Sequence, residues 1–248
     1  MNLLRHFLGL LTGLLLILNG QIFSQETLTQ ADAEEIIRKM QAAYEDVQDY
    51  VCIFNKQERI AGELLPMETI RLKFKKPFSV YMRWIEDPRE GMEVLYVRNE
   101  NDGKIIAHPG SFPDITVKVA PDGKLAMRQN RHPVTEVGIG SAIQIIANDV
   151  QRASAHPEDS VIYQDHGMQE VNGEKSRCIE AIMPAEENSE YYAHRAFICY
   201  QAETHLLSQI KTWDHTNTLV ENYRYTRIET NVGLSESDFD ADNPDYEF

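Results

Sequence analysis

The residues with the widest chemical range are eight histidines, His6, His108, His132, His156, His166, His194, His205 and His215, and three cysteines, Cys52, Cys178 and Cys199. The histidines stand singly. No two sit one helical turn apart, the spacing that puts two imidazoles on one metal ion, so no metal site is expected. A hydrolase built around His108, His132 or His166 requires their assembly in three dimensions. Gly138-Ile139-Gly140-Ser141 is similar in form to anion-binding turns, but it lacks the third glycine of a dinucleotide fingerprint and the lysine of a phosphate loop. Its expected part is to start and cap a helix. There is no Gly-x-Ser-x-Gly elbow. Asp238, Asp240 and Asp242 imitate the first ligands of a calcium loop, yet Asn243 stands where that loop needs glycine and no twelfth-position glutamate follows. The interleaved Phe239, Tyr246 and Phe248 point instead to a strap packed on a sheet. The expectation is a non-catalytic protein without cofactor.

An odd number of cysteines leaves at least one thiol outside any internal bridge. Cys178 and Cys199 face each other if a hairpin turns at Asn188–Ser189, and a bridge there contributes about 3 kcal/mol in the loop-entropy model. Three buried, inert thiols are the alternative.

The elements that must position these residues are mostly strands. Residues 27–48 read as a helix capped by Thr29 or Asp32, with Ala33, Ile36, Ile37, Met40, Ala43, Tyr44 and Val47 at helical spacing. A second helix is expected at 140–153, burying Ile143, Ile146, Ala147 and Val150. Strands are expected at 50–59, 68–76, 78–86, 92–98, 103–108, 115–119, 124–128, 160–166, 175–183, 191–200, 206–213 and 219–229, separated by Gly, Pro and Asn-Gly or Asp-Gly turns. Ile70, Leu72 and Phe74 alternate with Arg71, Lys73 and Lys75, which is the pattern of an antiparallel sheet covered on one face. The predicted architecture is α+β: one long, curved, mostly antiparallel sheet, an incomplete barrel, with helices in its concave face.

The chain carries 24 Lys+Arg against 39 Asp+Glu, a net charge of −15, which argues against nucleic acid or anionic lipid headgroups as partners of the chain as a whole, since both reward Lys and Arg. Arg5 and His6 precede an apolar run from Phe7 to Leu18. Its 12 residues suit a signal-peptide core of about 7–15 residues better than a membrane span of about 20. A cleaved signal peptide over residues 1–24 is expected, with cleavage near Ser24 or after Gly20, and an uncleaved anchor is the alternative. One domain over residues 25–248, without a stable membrane span and located in the periplasm, is the predicted mature form.

The stretch "DYVCIFNKQER", with Phe54 and Gln57, resembles the opening strand of the LolA/LolB-like group of periplasmic lipoprotein carriers. "LKFKKPFSVYMRW" and "NDGKIIAHPG" are similar to the next two strands and the Asp-Gly-Lys turn of that group. More closely, Glu58-Arg59, "NDGKIIAHPG", "ETHLL" and "TNVGLSESDFDADNPDYEF" resemble an uncharacterised exported bacterial family, domain of unknown function fifteen-seventy-one. The carrier resemblance implies a hydrophobic ligand or a lipidated protein as partner, and an apolar concave surface lined by Phe54, Ile70, Leu72, Phe74, Phe78, Val80, Met82, Trp84 and Leu95. The same residues make an ordinary core if the two helices cover them all. The resemblance also places Lys76-Pro77 where many carriers have Arg-Pro tied to opening of a lid; lysine cannot make the same forked bonds. A structural or interaction module of the cell envelope, with a self-filled core and a protein partner, is the second reading, and an exported hydrolase the third.

Overall fold

The computed structural model describes residues 26–187 and 189–248; the signal peptide expected at 1–24 and Asn188, where a turn is expected, lie outside them. Thirteen strands form one antiparallel sheet: β1 (Glu26–Leu28), β2 (Asp49–Ile60), β3 (Glu63–Leu64), β4 (Glu68–Lys75), β5 (Ser79–Trp84), β6 (Glu93–Val97), β7 (Ile105–His108), β8 (Val117–Val119), β9 (Ile162–Val171), β10 (Glu174–Ile182), β11 (Arg195–Gln201), β12 (Leu207–Trp213) and β13 (Leu219–Thr230). Their order is β1-β9-β10-β11-β12-β13-β2-β4-β5-β6-β7-β8, with β3 paired to β2. The edge strands β1 and β8 do not meet, so the curved sheet stays open as an incomplete barrel. The last strand, β13, pairs with β2 in the middle of the sheet.

Helices α1 (Gln30–Glu45), α2 (Lys124–Met127) and α3 (Ile139–Ala155) complete the regular elements. A capping box starts α1, with Thr29 accepting from the Asp32 amide and Asp32 accepting from the Thr29 amide. The expected strand at 124–128 is therefore corrected. Lys124, Leu125, Ala126 and Met127 are all strong helix formers, and they make a single helical turn. Gly138 and Gly140 owe their identity to close approach. A Cβ on Gly138, at φ +109, would lie 2.7 Å from the Tyr50 hydroxyl, and one on Gly140 would meet the Tyr44 ring at 2.2 Å. The Tyr50 hydroxyl takes the hydrogen bond of the Ile139 amide at 3.1 Å, so this turn seats α3 on the sheet.

α1 and α3 lie against each other on the inner face, and the main core forms between them and the sheet. A smaller cluster lies on the outer face. There Tyr81, Leu95 and Ile106 are covered by Phe239, Leu234, Tyr246 and Phe248 of the C-terminal segment, which is the expected strap. Tyr246 stacks on Tyr81 at 3.9 Å between ring centres, and Lys73 pairs with Asp238 at 2.9 Å. Cys178 and Cys199 are register partners on β10 and β11 and are joined by a disulfide. Cys52 is free and buried, and burial pushes its thiol pKa up.

Candidate functional site

Strand parity builds the site. On β2, Tyr50, Cys52, Phe54, Lys56 and Glu58 are all buried and share one parity. Glu68 leads the same series on β4 as Ile70, Leu72 and Phe74, and Glu221 shares parity with Tyr223 and Tyr225 on β13. The apolar inner face thus passes into charge at one end of three adjacent strands. Glu58 and Glu221 are register partners, 4% and 2% exposed. Two such carboxylates side by side require cations and donors, because a buried charge without partners is strongly disfavoured.

The partners come largely from the segment between β7 and α3, residues 109–138, which after β8 crosses over this part of the sheet. Four consecutive residues of it are fastened. Gln129 accepts from Arg89 Nη2 at 2.7 Å, while Arg89 Nε lies 2.9 Å from Glu68 Oε1. Asn130 accepts from Lys56 Nζ at 2.6 Å, and Lys56 is 3.2 Å from both Glu58 and Glu68. The Arg131 amide donates to Glu58 at 3.0 Å and its Nε to Glu221 at 2.7 Å. His132 Nε2 is 3.0 Å from Glu221, and its Nδ1 is 3.0 Å from Glu136. From the sheet side, Tyr192 and Thr212 donate to Glu221 at 2.6 and 3.0 Å, and Tyr223 donates to Glu58.

Burial alone would raise the Glu221 carboxyl, but the hydrogen bonds from His132 and Tyr192 and the charges of His132 and Arg131 hold it at about 2. Burial works against the imidazolium of His132, yet the bond to Glu221 and that carboxylate's charge raise its pKa above the ordinary value. Burial, then the Glu221 charge, raises both Tyr192 and Tyr223, which stay phenols and donors. Every oxygen of Glu58 and Glu221 already accepts a bond. The arrangement is built to fasten a covering segment to the sheet.

Beside this latch lies a cavity of about 790 Å³. Its floor is Phe54, Ile70, Met82, Trp84, Val94 and Ile105, continued by Val117 and Val119 of β8; its cover is Leu125, Ala126, Val134 and Val137; and Ala142 and Ile145 of α3 form a side wall. Of the residues predicted to line a concave surface, Phe54, Ile70, Met82 and Trp84 do so. Leu72, Phe74, Phe78 and Val80 sit in the solid core instead. Leu95 is a correction: it pairs with Tyr81 and faces outward under the strap, while its neighbours Val94 and Tyr96 face inward. The run from Val94 to Val97 is apolar on both faces, so alternation gives no parity there. Lys76 caps α1, donating to the carbonyls of Tyr44 and Glu45 at 2.9 and 3.0 Å and lying 4.7 Å from the Tyr44 ring centre. Pro77 follows it in the turn to β5.

His108, His132 and His166 do not come together. His108 pairs with Asp114 at 2.5 Å and His166 with Glu180 at 3.2 Å, each apart from the latch. Among the described residues no cluster of His, Cys, Asp and Glu is arranged to hold a metal ion, and no helix is long and apolar enough to cross a membrane. The residues missed by sequence reasoning are Lys56, Glu58, Glu68, Arg131 and Glu221. The parity of Lys56 and Glu58 with Phe54, of Glu68 with Ile70 and of Glu221 with Tyr225 was the available signal, and Arg131, on no strand, gave none.

An open antiparallel sheet with helices and a latched cover over a largely apolar cavity defines a half-barrel. The chain belongs to the family described as Protein of unknown function (DUF1571), which matches residues 47–248. No curated protein matches it. Among solved structures, the Mycobacterium tuberculosis lipoprotein LppX is 11% identical over 84% of this chain and 99% of its own, with a TM-score of 0.50. MucB, found in Pseudomonas aeruginosa in its complex with MucA, is 14% identical over 85% of this chain and 63% of its own, also at 0.50. A LolA superfamily protein from Nitrosomonas europaea is 7% identical over 84% and 97%, at 0.36. At these identities the likeness concerns the fold alone.

Proposed function

We propose that this protein is a non-catalytic carrier, exported to the periplasm as a single domain, that holds the apolar part of a lipid or lipidated protein in the cavity beneath residues 120–138. The observation that carries this reading is the cavity. Its 790 Å³ falls within the about 300–1,000 Å³ typical of small-molecule sites, and its floor and cover are mostly aliphatic and aromatic, with Lys56, Glu58, His132 and Glu221 at the latched end. An acyl chain leaving a bilayer loses about 0.8 kcal/mol per CH₂ of favourable burial, and a soluble carrier must replace most of it. In this reading Lys76 keeps α1 on the sheet, and the residues that loosen to admit ligand are those held by Glu58 and Glu221.

Native mass spectrometry of protein purified from membranes tests the reading, together with displacement of a fluorescent fatty-acid analogue. Bound lipid is expected, and Ala142→Trp, which places an indole in the side wall, should abolish analogue binding with the fold intact by circular dichroism. Protein that is repeatedly empty and indifferent to the analogue overturns the reading in favour of an envelope interaction module.

A further inference from the structure

The rim of the cavity differs from the rest of the surface in two independent respects. The first is apolar exposure. Phe112, Ile115, Val117 and Leu125 are 96%, 58%, 38% and 60% exposed, and they fall within one short stretch of chain. Residues 111–118 are exposed without interruption, so Phe112 stands on a protrusion rather than in a groove. The protrusion has a fixed root. Gly110, at φ +67, packs so closely on the Gly91 backbone that a Cβ there would approach within 2.2 Å.

The second respect is charge. Residues 109–128 contain Lys118, Lys124 and Arg128 against Asp114 and Asp122, a net of +1 in a chain of −15. Lys118, Lys124 and Arg128 are exposed, whereas Arg131 is bound to Glu221. The exposed acids Asp87 and Glu90 stand on the neighbouring loop, the one whose Gly91 meets Gly110. The three exposed cations therefore share one stretch of chain with the exposed apolar side chains.

A projecting aromatic flanked by aliphatic and basic side chains is the footprint of a peripheral membrane anchor, in which apolar groups enter the acyl boundary and Lys and Arg meet anionic headgroups. A protein partner would be expected to meet a flatter or concave apolar patch without this reversal of charge. We propose that residues 109–128 form a docking surface for an anionic phospholipid bilayer, seating the mouth of the cavity on the membrane. This deepens the carrier reading by giving its ligand a route that avoids water.

The test is flotation of the full mature chain with vesicles of phosphatidylcholine alone and of phosphatidylcholine with one-third phosphatidylglycerol. Binding to the anionic vesicles, weakened by salt, is expected. The double variant Phe112→Ser, Leu125→Ser should bind about tenfold less, since it removes two apolar side chains from the buried contact. The triple variant Lys118→Gln, Lys124→Gln, Arg128→Gln should lose the preference for anionic vesicles. Because all five side chains are exposed, unchanged thermal unfolding separates these effects from misfolding. No flotation of the unaltered protein, equal flotation of the variants, or self-association through Phe112 without flotation each overturns the proposal. Lipid in the cavity without flotation removes the docking surface and leaves the carrier reading. Flotation of a protein whose cavity is always empty does the reverse.

Discussion

One sheet carries two different inner surfaces. Over β9–β12, α1 and α3 press Ala33, Ile37, Ile146 and Val150 onto Ile179, Ala181, Ala196 and Ile198, and the space left is about 20 Å³. Over β2 and β4–β7 the same sheet is bridged by the chain that follows β8, residues 120–138, and the space is about 790 Å³. The two floors are similar in composition, so the covers make the difference. α3 offers Ile139, Ile143, Ile146 and Val150 as a regular stripe that fills the groove it meets. After β8, which is laddered to β7, the bridging segment has only two short helical turns, Lys124–Met127 and Val134–Glu136, and polar attachments at residues 129–132. A helix holds on by filling, whereas this segment holds on by charge at one end and can leave the space beneath it empty.

The largest effect that distinguishes the two halves is expected from Glu221→Ala. It deprives Arg131, His132, Tyr192 and Thr212 of one acceptor, and loss of one member of a buried ionic network costs about 3–5 kcal/mol. Denaturant unfolding measures the cost, and hydrogen exchange should place the increased opening in residues 128–137. Uniform loosening of α1 and α3 as well would mean that the latch belongs to the whole core. Next in size is a pair of truncations. Ile179→Ala, in the filled half and 2% exposed, should cost about 2–5 kcal/mol. Ile115→Ala, at the hollow rim and 58% exposed, should cost under about 0.5 kcal/mol. Equal costs would erase the contrast.

The smallest effect is that of pH. The folded pKa of His132 is raised, so its contribution is complete below the unfolded value of about 6.5 and is lost as pH rises through the folded one. Glu221 is held at about 2, so its contribution is complete above the unfolded value and is lost as pH falls through about 2. The latch should be tightest between about pH 4.5 and 6.5. Asp149 of α3, pushed up to about 6 by burial, titrates nearby, so His132→Gln serves as the control. Exchange of residues 128–137, corrected for intrinsic rates, should quicken from pH 5.5 to 8.5 by a factor of a few in the unaltered protein and stay flat in the variant. The same dependence in both would assign it to Asp149.

The fold was legible wherever alternation was clean. On β4, Ile70, Leu72 and Phe74 face inward and Arg71 outward, as their spacing requires. The caps Thr29-Asp32 and Gly138 were legible, although residues 27–28, expected in the first helix, instead pair with β9 as β1, and the strap was legible through its interleaved aromatics. Leu95 was not legible, because a strand apolar on both faces has no parity until its neighbours fix it. Nor was the cavity. Phe54 and Phe74 carry equivalent patterns, and only the placement of α1, α3 and the bridging segment decides that one borders a space and the other a solid core. The latch lay in between. Lys56 and Glu58 continue the inward series of Phe54, but polar residues at inward positions point to a site only when their partners, seventy or more residues away, are known.

The seam between β2 and β13 sets a schedule for assembly. Glu58 and Tyr223 touch across it although 165 residues separate them, and Phe54 stacks on Tyr225 at 4.8 Å between ring centres. Until β13 has been made, β2 and β4–β8 form one hairpin stack, β9–β12 another, and no backbone ladder joins them. Contacts that close loops of this size form late and slowly. The Glu58–Glu221 pair straddles the junction, so the carboxylates that fasten the cover become neighbours in the step that unites the halves. The cavity is therefore among the last parts of the molecule to exist, and a chain that stops short of β13 has most of its strands and no site.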